Sequence, residues 1–312
     1  METKRNRREF LQAGLLSTAA AMVGGASGIV GVEPSYGGEH PDLVVCHGKD
    51  PGKITRSAVD QLGGMKRFVK AGQKVVIKPN MSFASGPERG ANTHPAVVRE
   101  VAQMCAEAGA SRISVVDYVL NEPSACLSLS KIPEYCQGIP NTTVNHVKAK
   151  RLFREVPVRN GNELKSLEVL AEVLDSDVLI AVPVGKSHSA AGVSLSMKGM
   201  MGLIYDRISF HGRYDLHNAI VDMVSVVKPA LVVMDATRIL STGGPSGPGK
   251  VIPMDMVIAS PDMVAADAQM VTLGTWYDRK FTPNQVRHIR IASERGLGRM
   301  DLANLKVATV QS

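Results

Sequence analysis

Aromatic residues are scarce in this chain: six Phe, six Tyr and one Trp make up 4% of 312 residues. The core must therefore be built from Val, Ile, Leu and Met. Cysteine is scarce as well. Cys46, Cys105, Cys126 and Cys136 show no C-x-x-C or ferredoxin-like spacing, which argues against a cysteine-ligated zinc or an iron–sulfur cluster within the chain. In an oxidising compartment Cys126 and Cys136 could be bridged, and two buried free thiols fit the sequence equally well. No polybasic tract is present, so nothing points to nucleic acid. Internal repeats and low-complexity linkers are missing too. What remains is one large domain, or one with a subsidiary lobe.

The N-terminus has a different grammar from the rest. Residues 4–12 read KRNRREFLQ, with Arg7 and Arg8 adjacent, and an Ala- and Gly-rich apolar stretch follows to about Val32. A basic region, an apolar core and small residues are the marks of a bacterial export signal, and paired arginines point to the twin-arginine route. Residues 1–32 are therefore read as a signal region, with cleavage expected near Gly24-Gly25-Ala26 and a periplasmic destination. A membrane anchor is the alternative; about 20 residues can span a bilayer, but these glycines and alanines are weakly hydrophobic. Removing residues 1–26 takes away four basic and two acidic side chains, so the formal charge falls from +7 to +5. Resemblance to twin-arginine substrates implies that the protein crosses the membrane folded, with the translocase as a partner and a cofactor inserted in the cytoplasm as one option.

Beyond residue 42 the pattern is of β-branched apolar runs alternating with amphipathic segments, the signature of an α/β protein with a mostly parallel sheet flanked by helices. Strands are predicted near DLVVC, KVVIK, RISVVD, DVLIAVP, ALVVMD and DMVIAS. Near-continuous apolar runs suit strands covered on both faces. Helix starts are predicted at Thr93-His94-Pro95, Ser260-Pro261-Asp262 and Thr282-Pro283-Asn284. Residues 119–165 break the rhythm and read as a small insertion or subdomain, while 276–312 supply a C-terminal helix and a short strand.

Several of the apolar runs end in polar residues. KVVIKPN delivers Lys78 and Asn80, RISVVDY delivers Asp117, DVLIAVPVGKSH delivers Lys186 and His188, and ALVVMDATR delivers Asp235 with Arg238 nearby. In open α/β sheets, ligands bind in the crevice outside the carboxyl ends of the strands. Lys78, Lys186 and Lys198 could hold a phosphate or carboxylate, and a desolvated lysine could act as base or imine-forming nucleophile. His188 could move protons or bind a metal, with Asp117 or Asp235 orienting it. His211 and His217 are six apart, which is not the spacing of a helical metal pair. Asp262, in the first turn of its helix, reads as structural. GPSGPGK at 244–250 imitates a phosphate-binding loop, but Val251 replaces the hydroxyl residue and two prolines remove amide donors. It reads as a turn-rich loop bordering the site.

The blocks VVIKPN, THPAVVREV, GKSHSAAGVSLSMKGMMG, DLHNAIVDM, PALVVMDAT, GGPSGPG and ASPDMVAADA occur in the order seen in the domain of unknown function 362 family, which the chain resembles over about residues 43–275. The resemblance implies an α/β fold and carries Lys78, Asn80, Lys186, His188, Lys198, His217 and Asp235 as family positions. Many members add a ferredoxin-type domain and are associated with redox metabolism. That cysteine-rich addition is missing here, and Lys198-Gly199 stands where members usually read Lys-Asn.

The functional expectation is an exported enzyme or cofactor-binding protein acting on a small anionic ligand. Lys186, His188 and Asp235 are its catalytic candidates, and Lys78, Asn80, Asp117, Lys198 and His217 the ligand-binding ones. A metal ion, if bound, would draw on His188, His217 and Asp235. The alternatives are a non-catalytic periplasmic binder of a metal or anion and an oxidoreductase accessory subunit.

Overall fold

The computed structural model describes residues 38–312. The expected signal region, with its paired arginines, lies outside the described residues. Among the described residues no helix is long and apolar enough to cross a membrane.

The described residues form twelve strands. In chain order they are β1 (Leu43–His47), β2 (Lys74–Pro79), β3 (Arg112–Asp117), β4 (Thr142–His146), β5 (Phe153–Pro157), β6 (Ser166–Leu170), β7 (Val178–Val182), β8 (Val184–His188), β9 (Gly192–Ser194), β10 (Leu231–Leu240), β11 (Val251–Ser260) and β12 (Val307–Gln311). Ten of them form one sheet in the order β12-β1-β11-β10-β7-β2-β3-β4, with β8 and β9 attached alongside β10. Pairings from β10 through β7, β2 and β3 to β4 are parallel, as is β1 with β12. The fold is α/β, a mostly parallel mixed sheet flanked by helices.

The strands read as predicted because both faces of the sheet are covered. Successive residues alternate between two cores: Val75 and Ile77 pack on one side of β2 and Val76 on the other, while Val178 and Ile180 oppose Leu179 and Ala181 in β7. A residue that must be apolar on either face leaves an unbroken β-branched run. Helix Pro95–Glu107 starts where proline sits at its first position and the His94 ring accepts from Ala96 N–H at 3.2 Å. The Asp262 carboxylate accepts from Val264 and Ala265 N–H at the head of helix Met263–Leu273. That is its structural, capping role.

Two details depart from a simple reading of the run pattern. Strand β11 is antiparallel to both β10 and β1. It follows β10 through the loop 241–250, too short for the crossover that parallel pairing requires. The irregular segment 119–165 also divides. Strand β4 joins the main sheet, with His146 opposite Asp117, and only β5 leaves it, to pair with β6 in a separate two-stranded sheet. The C-terminal segment adds helix Arg287–Glu294 and β12 at the sheet edge. All four cysteines are buried free thiols.

The chain runs from β2 to β3 and β4 in one direction across the sheet, then returns to place β7 on the other side of β2 and β10 beyond it. The order therefore reverses between β2 and β7, and such a reversal opens a crevice at the carboxyl ends of the strands.

Candidate functional site

A cleft of about 810 Å³ lies at that reversal. Lys78 and Asn80 reach it from the end of β2, Lys186 and His188 from β8, and Lys198 from the short helix Ser196–Gly199. Five of the eight residues singled out by sequence thus line one cavity. Asp117 stands directly behind, at the end of β3. The stretch that delivers Lys186 and His188 is a tight β8–β9 hairpin, with Lys186 opposite Ser194 and His188 opposite Gly192.

The three lysines have unequal partners. The Lys78 amine lies 3.0 Å from Asp117 Oδ1, with side chains 2% and 0% exposed, and it also donates to Pro79 O. The other Asp117 oxygen accepts from Met81 N–H at 2.9 Å and Ser82 O–H at 2.6 Å. Lys186 donates to Ala91 O at 2.5 Å and lies 4.6 Å from the centroid of the Phe83 ring. Among the described residues Lys198 has only the Met201 thioether as a hydrogen-bonding partner, at 3.7 Å. Among the described residues only Lys78 of these three amines is ion-paired with a carboxylate; Asp206 and Glu168 also line the cleft, where Glu168 pairs with Lys150.

Burial lowers all three pKa values, since a low-dielectric surrounding disfavours the charged form. Burial outweighs Asp117 at Lys78. Lys186 falls well below the ordinary lysine range, first through burial and then through the charges of Lys198, Lys78 and Arg238, which outnumber the single favourable charge of Asp117. Burial and then Arg207 bring Lys198 down to about 8.

The histidine is equally constrained. Burial and the Lys198 charge lower His188 to about 3, so its imidazole is neutral at pH 7. Its Nδ1 accepts from Ala190 and Ala191 N–H at 3.2 and 3.3 Å. Nε2 is left as the nitrogen carrying the proton. His211, on the cleft wall, stacks on His188 with centroids 5.7 Å apart and is likewise lowered by burial and Lys198.

Close backbone approach explains two glycines. A Cβ on Gly202 would meet Asp117 Oδ1 at 2.1 Å and the Lys78 amine at 2.9 Å, so only glycine lets the chain pass over the ion pair. A Cβ on Gly244 would meet Ser187 O at 1.9 Å, and the Gly244 N–H donates to Ser187 Oγ at 3.0 Å. The loop that imitates a phosphate-binding motif is thus pressed against β8, and its Pro245 borders the cleft.

Helix Ser196–Gly199 is anchored from below. Asp267 accepts from Ser196 N–H, Ser196 O–H and Met197 N–H at 2.6–3.0 Å. Burial still pushes this carboxyl up to about 7, despite those three donors.

Two candidates lie elsewhere. Asp235 does not line the cleft: it is fully buried, bonded to Arg238, to His94 N–H at 2.7 Å and to Thr237 N–H and O–H at 3.0 and 2.7 Å. Burial raises its pKa, but Arg238 and these donors outweigh it and hold the carboxyl below its ordinary value. Arg238 in turn donates to Pro87 O and Asn92 O, so the pair fastens the loop 80–94 whose Ala91 carbonyl receives Lys186. Asp235, a catalytic candidate from the sequence, thus lies away from the cleft with its carboxylate taken up by Arg238 and the loop. His217 is not at the cleft either; at the start of helix Leu216–Val224 it contacts His288, Nδ1 to Nδ1, at 3.3 Å. Among the described residues no three His, Cys, Asp or Glu side chains converge to hold a metal ion, so His188, His217 and Asp235 do not form a metal shell.

The cleft also contains residues that the strand-end argument did not select: Phe83, Tyr118, Tyr205, Arg207, Ile208 and His211. Arg207 lies 4.1 Å from the Tyr118 ring centroid and donates to Tyr118 O at 3.0 Å. The available signal was adjacency, since Tyr118 follows Asp117 and 205–211 directly follow the GMMG block.

The fold and site together define an α/β protein with a lysine-rich crevice at the switch point of its sheet. The chain belongs to the family described as domain of unknown function (DUF362), whose sequence profile matches residues 75–272. It is 25% identical over 219 residues, 68% of its length, to the thylakoid-associated protein sll1697 of Synechocystis sp., and spans 66% of that protein. Among solved structures it is similar to the lactate racemase apoprotein of Thermoanaerobacterium thermosaccharolyticum, with a TM-score of 0.50 and 11% identity, over 73% of this chain and 57% of that one. A Thermotoga maritima protein gives a TM-score of 0.45 at 9% identity, over 80% of this chain and 60% of that one. The racemase likeness shows a shared α/β architecture.

Proposed function

We propose that the cleft binds an organic anion and performs proton-transfer chemistry on it, as an enzyme or cofactor-binding protein. The observation that carries this reading is the gathering of buried amines: Lys78 is paired with Asp117, while Lys186 and Lys198 have a carbonyl and a thioether as their hydrogen-bonding partners. Burying charge without a partner is costly, and an anionic ligand removes the cost. Perturbed, desolvated ionisable groups around a cavity are the mark of functional sites.

Each side chain has a distinct part. Lys198 and Arg207 supply positive charge to the anionic group, with Lys78 held in place by Asp117. Neutral His188 offers its Nε2 proton as a hydrogen-bond donor to a ligand oxygen. Lys186, whose pKa burial and the neighbouring cations lower, is the candidate to accept a proton.

The test is retention. Small molecules released on denaturing the purified full chain are identified by mass spectrometry, for wild type and for Lys186→Met and Lys198→Met. An anionic compound held by wild type and lost from both variants is the expected result. Equal retention by folded variants would place the ligand elsewhere. Export by the twin-arginine route is part of the proposal and rests on Arg7 and Arg8. Replacing both with lysine should stop the full chain reaching the periplasm on fractionation, and unchanged export would remove that part.

A further inference from the structure

The cleft is larger and more apolar at its mouth than a bare small anion requires. Its volume, about 810 Å³, falls within the ~300–1,000 Å³ typical of sites that enclose drug-sized ligands. A phosphate or a two-carbon carboxylate would occupy a small fraction of it. The lining also mixes two chemistries. The amines converge from strand ends and from helix Ser196–Gly199. The segments 118–120 and 205–208 contribute Tyr118, Leu120, Tyr205 and Ile208, interleaved with Asp206 and Arg207, and Lys150 and Arg207 lie over the Tyr205 and Tyr118 rings. Two of these apolar side chains are conspicuously solvated: Ile208 is 87% exposed and Leu120 56% exposed. Single exposed apolar residues are ordinary. These two belong to different segments of the chain and border the mouth of the same cavity, with Phe83 inside it.

We propose that the ligand is an amphipathic organic anion, an acidic head joined to an apolar ring-sized body, with its head among Lys78, Lys186 and Lys198 and its body against Leu120 and Ile208. This rests on the anion-binding reading above and adds the ligand's class. The body would remove both exposed side chains from water, a gain proportional to apolar area that an inorganic anion cannot provide. The head alone accounts for the amines and leaves the mouth unexplained.

The experiment titrates the full chain with 1-naphthoate, acetate and inorganic phosphate at pH 7 by calorimetry. Naphthoate is expected to bind at least tenfold more tightly than acetate. Ile208→Ser and Leu120→Ser, both at solvated positions where folding should be unaffected, are expected to weaken naphthoate severalfold and leave phosphate unchanged. Lys198→Met should weaken every probe that binds. Acetate or phosphate binding as tightly as naphthoate would overturn the amphipathic class, as would naphthoate binding insensitive to both serine variants. If Lys198→Met changed none of the affinities, or no probe bound, the underlying anion reading would fall with it. A second variant, Lys186→Met, distinguishes a wrong choice of lysine from a wrong site.

Discussion

Two buried ion pairs belong to the main sheet, Asp235–Arg238 within β10 and Lys78–Asp117 at the ends of β2 and β3, and they have opposite characters. Asp235 and Arg238 form a closed unit: both carboxylate oxygens are occupied, and the guanidinium donates onward to Pro87 O and Asn92 O. Lys78 and Asp117 form an open one, because two more amines stand nearby with a carbonyl and a thioether as their nearest partners. Saturation marks the first pair as a fastener of the loop that carries Ala91. Incompleteness marks the second as a site. The difference lies in what the surrounding groups leave over.

The comparison can be broken most severely by removing either acid. Asp117→Ala strands a buried ammonium with two donors, and Asp235→Ala strands a buried guanidinium; each should cost about 3–5 kcal/mol in urea denaturation. An effect below 1 kcal/mol at either position would show that its pair is not buried in solution. Gly202→Ala comes next, forcing a methyl onto Asp117 Oδ1 and the Lys78 amine. The expected loss is about 1–3 kcal/mol, and an unchanged midpoint would contradict the close approach. Smallest, and opposite in sign, is Lys198→Met. It removes a buried, poorly partnered amine, so stability should hold or rise by about 1 kcal/mol while anion binding falls. A clear loss of stability would mean that Lys198 has a partner after all.

Titration sharpens the same contrast. Lys198 has a folded pKa of about 8 against an ordinary 10.5. The unfolded chain therefore binds more protons between these values, and stability should rise with pH across that window. Asp267 works in the other direction. Its folded pKa of about 7 lies above the ordinary 3.8, so its contribution is full below the ordinary value and lost as pH rises through about 7. Asp267→Asn should flatten the fall between pH 4 and 7 in denaturation midpoints, and a slope identical to wild type would remove Asp267 as its source.

Much of this was legible in sequence where one local fact sufficed. Strand ends announce themselves when a doubly covered apolar run stops, so Lys78, Asp117, Lys186 and His188 could be grouped on one sheet edge. Lys198 came with them through its neighbourhood of small residues and methionines. Asp235 looked the same from its run but was misjudged, because β10 stays buried through Leu240 and the carboxylate meets Arg238 inside. No run pattern reveals what a side chain meets. His217 was misjudged for a related reason, since its partner His288 lies 71 residues away. Arg207 and Ile208 were missed because they follow an irregular turn at Met200–Leu203, where hydrophobic periodicity is silent.

The claim on which everything else depends is that the cleft holds amines without sufficient counter-charge. The most direct measurement is NMR titration of the lysine side chains in the unliganded full chain, with Lys186→Met and Lys198→Met assigning the two signals. The expected result is a Lys198 midpoint near 8, a Lys186 midpoint also well below the surface lysines, and both moving upward when 1-naphthoate is added. Both amines titrating with the surface lysines would contradict it, because the cleft would then already be neutralised or open to water.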